Sequence, residues 1–218
     1  MNSVYVGLLA ALGLLMFSKY QRDVKRKVLA RSAVFNDCTA LLQNARISQD
    51  KANLPVLQGE YAGNKVALSI VEDTIAWRKL PPLWLLVKVT ANKTSIGSLD
   101  MIVRPAGNEF YSPSWQWDGN LTIPPTWPQH AIIKYLHKPI DMRLLEHLVP
   151  ALFSDLKMKE LLIMPELVRL TYMAKQADRG EYLIMRNAVY HDTPISKELV
   201  ESLIKQAIAI SQTLEQAT

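Results

Sequence analysis

Residues 57–71 read LQGEYAGNKVALSIV. On both sides of Gly63-Asn64, apolar and polar residues alternate with a period of two, the pattern of half-buried strands joined by a tight turn. Gly63 suits such a hairpin because a residue without a Cβ enters the left-handed backbone region at little cost. Strand character returns further along the chain. Residues 81–91, PPLWLLVKVTA, are rich in branched and aromatic side chains behind two prolines. Residues 98–105, SLDMIVRP, form another run, ended by Pro105, and 130–137, HAIIKYLH, a further one. No strand–helix–strand rhythm links them. The pattern predicts an α+β domain over 54–216, a mainly antiparallel sheet covered by two helices.

One helix is expected in 141–155, DMRLLEHLVPALFSD, where Pro150 bends or ends an amphipathic pattern. The other lies near the C terminus. There Asp192 or Thr193 caps a long helix with Pro194 in its first turn and Leu199, Leu203, Ala207 and Ile210 along one side. Between the two helices, 159–190 reads as three strands, the last two joined around Asp178-Arg179-Gly180. Gly59-Glu60-Tyr61 recurs as Gly180-Glu181-Tyr182. The neighbouring motifs come in the opposite order, so this is coincidence and not a duplicated half.

Towards the N terminus the character changes. Residues 4–17, VYVGLLAALGLLMF, are uncharged, and no Asp, Glu, Lys or Arg precedes Lys19. The run is short against the roughly 20 residues of a spanning helix. Lys19 and Arg22 extend it by reaching towards headgroups, and Tyr5 and Tyr20 stand near its ends. A cleavable signal would carry its positive charge before the apolar run, and here the order is reversed. Residues 1–18 are therefore expected to be a transmembrane anchor. Residues 19–50 are expected to be a basic collar continuing into an amphipathic helix, with Val24, Val28, Phe35, Cys38, Leu42 and Ala45 at helical spacing. Lys19, Arg22, Lys25, Arg26 and Lys27 mark the membrane interface, so that 1–27 contacts lipid. Positive charge on this flank places the remaining domain in the cytosol.

Over 218 residues, 25 Lys and Arg stand against 20 Asp and Glu. Six of the cations and one anion, Asp23, fall between Lys19 and Arg31, so the rest of the chain is balanced. A phosphate-binding stripe is not expected, nor a nucleic-acid partner. The single cysteine, Cys38, excludes an internal disulfide and a Cys-based zinc site, and its apolar neighbours predict a small core residue. His130, His137, His147 and His191 lack the spacing of co-ligands, and neither a metal nor a cofactor is expected. There is no G-x-S-x-G, no S-x-x-K and no glycine-rich phosphate loop. Ser112 or Ser114 with His130 and Asp118 makes a triad only on paper.

The 105–130 loop carries five prolines, two glycines and three tryptophans. Trp115 and Trp117 flank Gln116, so an extended backbone turns both rings the same way; Tyr111 precedes them and Trp127 follows. These four aromatic residues are the candidate interaction surface. The expectation is a single-pass membrane-anchored protein whose cytosolic domain is a non-catalytic protein-binding or assembly module of a membrane complex. The alternatives are a membrane-tethered hydrolase acting on lipid or sugar, with the loop as a lid, and a periplasmic binding module.

Overall fold

The computed structural model describes residues 5, 7, 12–22, 31, 33–50, 54–74, 80–91, 97–107, 109–117, 119–185, 188–190 and 194–216. Its centre is a sheet of nine strands: β1 Gln43–Gln49, β2 Pro55–Tyr61, β3 Asn64–Glu72, β4 Pro82–Thr90, β5 Leu99–Val103, β6 Gly119–Asn120, β7 Ala131–Tyr135, β8 Met158–Met164 and β9 Leu167–Gln176. Their order is β1-β2-β3-β4-β9-β8-β5-β7-β6, with every pair antiparallel. The α+β expectation holds in this form.

The β2–β3 hairpin turns at Ala62-Gly63, one residue before the predicted pair. Tyr61 faces Asn64, and the two central residues have φ of 48° and 78°, as a primed hairpin turn requires. Gly59 has a different reason to be glycine. A Cβ there would lie 2.8 Å from the Gln43 carbonyl oxygen and 2.8 Å from Leu42 Cβ. Gly59-Glu60-Tyr61 is strand and Gly180-Glu181-Tyr182 is helix, so the shared triplet marks no repeat.

Alternation along each strand builds the core on the front face. Leu57, Leu68, Val87, Leu170, Leu161, Met101 and Ile133 stand side by side from β2 to β7, all fully buried. Against this face lies the C-terminal helix, Lys197–Gln216, which buries Val200, Leu203, Ile204, Ala207, Ile210 and Leu214. Each of the Val, Leu and Ile side chains contributes about 1.5–3 kcal/mol by leaving water. The helix starts at Ser196, whose hydroxyl accepts from Leu199 N–H at 3.3 Å. Pro194 therefore precedes the helix instead of opening it, and Asp192 and Thr193 lie outside the described residues.

Three other expectations are corrected. Residues 141–155 form a 3-10 turn, Met142–Leu145, and a short helix, Leu148–Leu152. Pro150 is the third residue of that helix, where a missing N–H leaves no helical acceptor unserved, so it neither bends nor ends it. The expected third strand of the last third is helix Arg179–Met185. β9 is already flanked by β4 and β8, so the chain that follows it finds no free strand neighbour. The amphipathic helix predicted through residue 50 is not formed over the described residues 33–50. A 3-10 helix, Asn36–Leu41, buries Cys38, and Gln43–Gln49 pairs on one side with β2 as an edge strand.

Residues 12–22 are helical and exposed throughout. Among the described residues no helix is long and apolar enough to cross a membrane. Residues 1–4, 6 and 8–11 of the predicted anchor lie outside the described residues, as do 23–30.

Candidate functional site: a polar cluster beneath the 104–117 strap

The back face of the sheet carries two adjacent rows. Leu86, Thr171, Glu160 and Ile102 stand side by side on β4, β9, β8 and β5. Two residues along each strand stand Lys88, Arg169, Leu162 and Asp100, with Lys134 of β7 opposite Asp100. Residues two apart share a face, so the Glu160 and Asp100 carboxylates are diagonal neighbours. The strap, residues 104–117, leaves β5 at Arg104 (φ 47°) and crosses this face before β6.

The fastening is polar. Arg169 Nη2 donates to both Glu160 carboxylate oxygens at 2.9 and 3.0 Å and to the Tyr111 carbonyl at 3.1 Å. Thr171 Oγ1 donates to the same carboxylate. Ser112 Oγ donates to Asp100, lies 2.9 Å from Ser114 Oγ, and accepts from Ser114 N–H at the start of the 3-10 turn Pro113–Gln116. A bulge in the β8–β9 pairing leaves Lys159 as the extra residue. Its ammonium turns onto Glu109 at 2.8 Å and onto the carbonyls of Val103 and Arg104 at 3.1 and 2.8 Å. Lys134 Nζ donates to the Trp117 carbonyl at 3.0 Å.

Burial, and then the charge of Glu160, push Asp100 up to about 7, although Ser112, Ser114 and Arg169 pull the other way. Burial raises Tyr111 too, with Glu160, Glu109 and Asp73 adding to it. Burial also acts to raise Glu109, but the Lys159 ammonium and the Ala106 N–H outweigh it and hold that carboxyl below its usual range. Asp100 Oδ1, Tyr111 Oη and Trp84 Nε1 are buried without a hydrogen-bond partner. Chemically, a pair of carboxylates with one poised near neutrality and hydroxyls beside it is acid–base equipment. Sterically it is closed: Asp100, Ser112, Ser114, Glu160 and Thr171 are all buried.

The four aromatic candidates do not form one surface. The backbone at Trp115 is a 3-10 turn and not extended, so the two neighbouring rings diverge: Trp115 is 71% exposed and Trp117 5%. Trp127, 2% exposed, belongs to the front core, whereas Trp117 lies by the back-face lysine, Lys134. Tyr111 is half-buried, with its ring centroid 5.9 Å from that of Trp84. Of the basic collar, Lys19 and Arg22 are on the exposed helix, and Lys25, Arg26 and Lys27 lie outside the described residues. Ser112 and Ser114 face Asp100, while His130, His137 and His147 are exposed; Asp118 and His191 lie outside the described residues. Among the described residues, no three His, Cys, Asp or Glu side chains group as metal ligands.

Sequence reasoning passed over Asp100, Glu109, Lys159, Glu160, Arg169 and Thr171. The available signal was a carboxylate set inside otherwise apolar strands, Leu99-Asp100-Met101-Ile102-Val103 and Glu160-Leu161-Leu162-Ile163. Comparison with protein-family models, curated proteins and solved structures finds no match to this chain.

Proposed function

We propose that the chain is a single-pass membrane-anchored protein whose α+β domain faces the cytosol and serves as a non-catalytic protein-binding or assembly module of a membrane complex. The observation that carries this reading is the helix at 12–22. Leu12, Leu14, Leu15, Met16, Phe17 and Tyr20 are between 50% and 70% exposed, so these side chains find no cover on the domain. Apolar side chains in that number need another phase or partner, and flanking Lys19 and Arg22 suit a lipid interface. The closed state of the Asp100–Glu160 cluster supports a fastening role for it over a catalytic one.

Alkaline washing of membranes tests the anchor. The full chain is expected in the pellet and a variant lacking residues 2–18 in the supernatant; a full chain released by the wash overturns the reading. The topology is read from an introduced cysteine, because Cys38 is buried and its thiol is pushed up to about 11, chiefly by burial. Gln206→Cys, on the exposed side of the C-terminal helix, serves. An impermeant maleimide is expected to reach it only after permeabilisation, and labelling of intact cells overturns the cytosolic placement. For assembly, in-cell crosslinking is expected to capture a protein partner. A partnerless monomer overturns that part.

A second reading, a tethered hydrolase, is favoured by one observation: Asp100 near neutrality beside Glu160. It requires the strap to lift. Turnover of lipid esters or glycosides that is lost in Asp100→Asn without loss of melting temperature would carry it.

A further inference from the structure

We infer that the end of the sheet at which β4 begins rests on the surface of an anionic bilayer, with Phe110, Leu156 and Leu183 entering the headgroup region. This rests on the anchored reading of the N terminus. The antiparallel registers bring the ends of five adjacent strands together in the middle of this end: β3 and β5 finish here, β4 and β8 start here, and β9 finishes beside them. The N-terminal chain also meets the domain here, because both the Nε and Nη2 of Arg31 donate to the carboxylate of Glu72, the last residue of β3, at 2.8 and 2.7 Å.

The large exposed apolar side chains at this end come from separate elements. Leu183, 57% exposed, is on the helix that follows β9, and Leu156, 77% exposed, is in the turn before β8. Phe110, 50% exposed, sits on the strap between Glu109, which is paired with Lys159 near the start of β8, and Tyr111, which packs on Trp84 near the start of β4. The strands from β3 through β5 span about 20 Å at their usual spacing. Three exposed cations, Arg104, Lys157 and Arg179, stand on the same end with one exposed anion, Asp155. Arg104 spends its guanidinium on the carbonyls of Leu156 and Met158, and Asp155 accepts from the Tyr172 hydroxyl.

Chain length ties this end to the anchor. Nine residue steps separate Arg22 from Arg31, a reach of about 30 Å if extended and about 14 Å if helical. A collar at the headgroups therefore holds Arg31, and the sheet end beneath it, close to the lipid. A short tether keeps the local concentration of the surface high, so modest apolar insertion assisted by cations is sufficient for contact. Trp115, also exposed, is on the 3-10 turn of the strap, and Ile47 is on β1 at the edge of the sheet, three strands from β4.

The test uses the full chain in vesicles of phosphatidylcholine with phosphatidylserine, doped with nitroxide-labelled lipid. Environment-sensitive fluorophores are placed at Leu14→Cys, Phe110→Cys, Leu156→Cys, Leu183→Cys and Gln206→Cys, with Cys38 buried and silent. Leu14 is expected to be quenched by deep nitroxides. Positions 110, 156 and 183 are expected to be quenched by headgroup nitroxides about twofold or more above Gln206, less so when phosphatidylserine is omitted. Leu14 quenched with the three positions no different from Gln206 overturns this inference and leaves the anchor standing. Protection of the three from aqueous iodide without lipid quenching also overturns it, in favour of a protein cover. Leu14 unquenched overturns the anchored reading itself, and this one with it.

Discussion

The front of the sheet is closed by Leu68, Leu170, Leu161 and their neighbours against the C-terminal helix, whereas the back is closed by the strap through Asp100, Glu160, Arg169 and Lys159. The same strands supply both faces, residue by residue. The front is held by burial that is non-directional, so its parts are exchangeable within limits of volume. The back depends on donors and acceptors that each have a named partner, and a charge left alone there has no water to turn to. Two chemically different seals on one sheet should therefore fail in different ways.

The largest expected effect is on the back. Arg169→Ala leaves the Glu160 carboxylate buried without its cation and is expected to cost about 3–5 kcal/mol in urea unfolding. Replacing both, Glu160→Gln with Arg169→Gln, should recover part of that loss. A double variant no better than Arg169→Ala would remove the distinction between the faces. On the front, Leu161→Ala should cost about 2–5 kcal/mol through lost burial and a cavity, with no dependence on what faces it electrostatically.

The strap's own tryptophans sharpen the comparison. Trp117→Ala is expected to lose about 3–5 kcal/mol and Trp115→Ala less than about 0.5 kcal/mol, because only the first is buried. Equal effects would mean that the strap does not seal the back face.

Asp100 gives the back a pH dependence that the front lacks. Its native pKa, about 7, lies above its ordinary 3.8, so the native state holds more protons than the unfolded chain between those values. Stability from this group is therefore highest below the window and falls as pH rises through it. Thermal melts are expected to show Asp100→Asn gaining on the parent protein between pH 5 and pH 8. A constant difference across that range would place the titration elsewhere. On the front, Ser196→Ala removes the cap of the covering helix and should cost about 1 kcal/mol, with no pH dependence in the same range.

Much of the front face was legible in the sequence. Alternation around Gly63 placed β2 and β3, the branched run at 82–90 placed β4, and Leu203, Ala207 and Ile210 marked the buried side of the last helix. Cys38 was read as core and is buried. The errors have specific causes. Phe35, Cys38 and Leu42 keep a spacing that suits a helix, and all three are buried, but the chain meets that demand with a 3-10 turn and then an edge strand paired to β2. Residues 179–185 have strand-like composition and become helix because β9 has no open side. The aromatic surface failed because one local turn, Pro113–Gln116, rotates Trp115 away from Trp117.

By itself, the sequence determined which residues of each strand share a face, the position of the hairpin turn to within one residue, and where the positive charge gathers next to an uncharged N terminus. It did not determine neighbours. Asp100 and Glu160 are sixty positions apart and meet only because β8 lies between β5 and β9. Alternation specifies the direction of a side chain but is silent on which strand comes alongside. That choice is made by closing long loops against a shared core, a balance of chain entropy and burial that no local window contains.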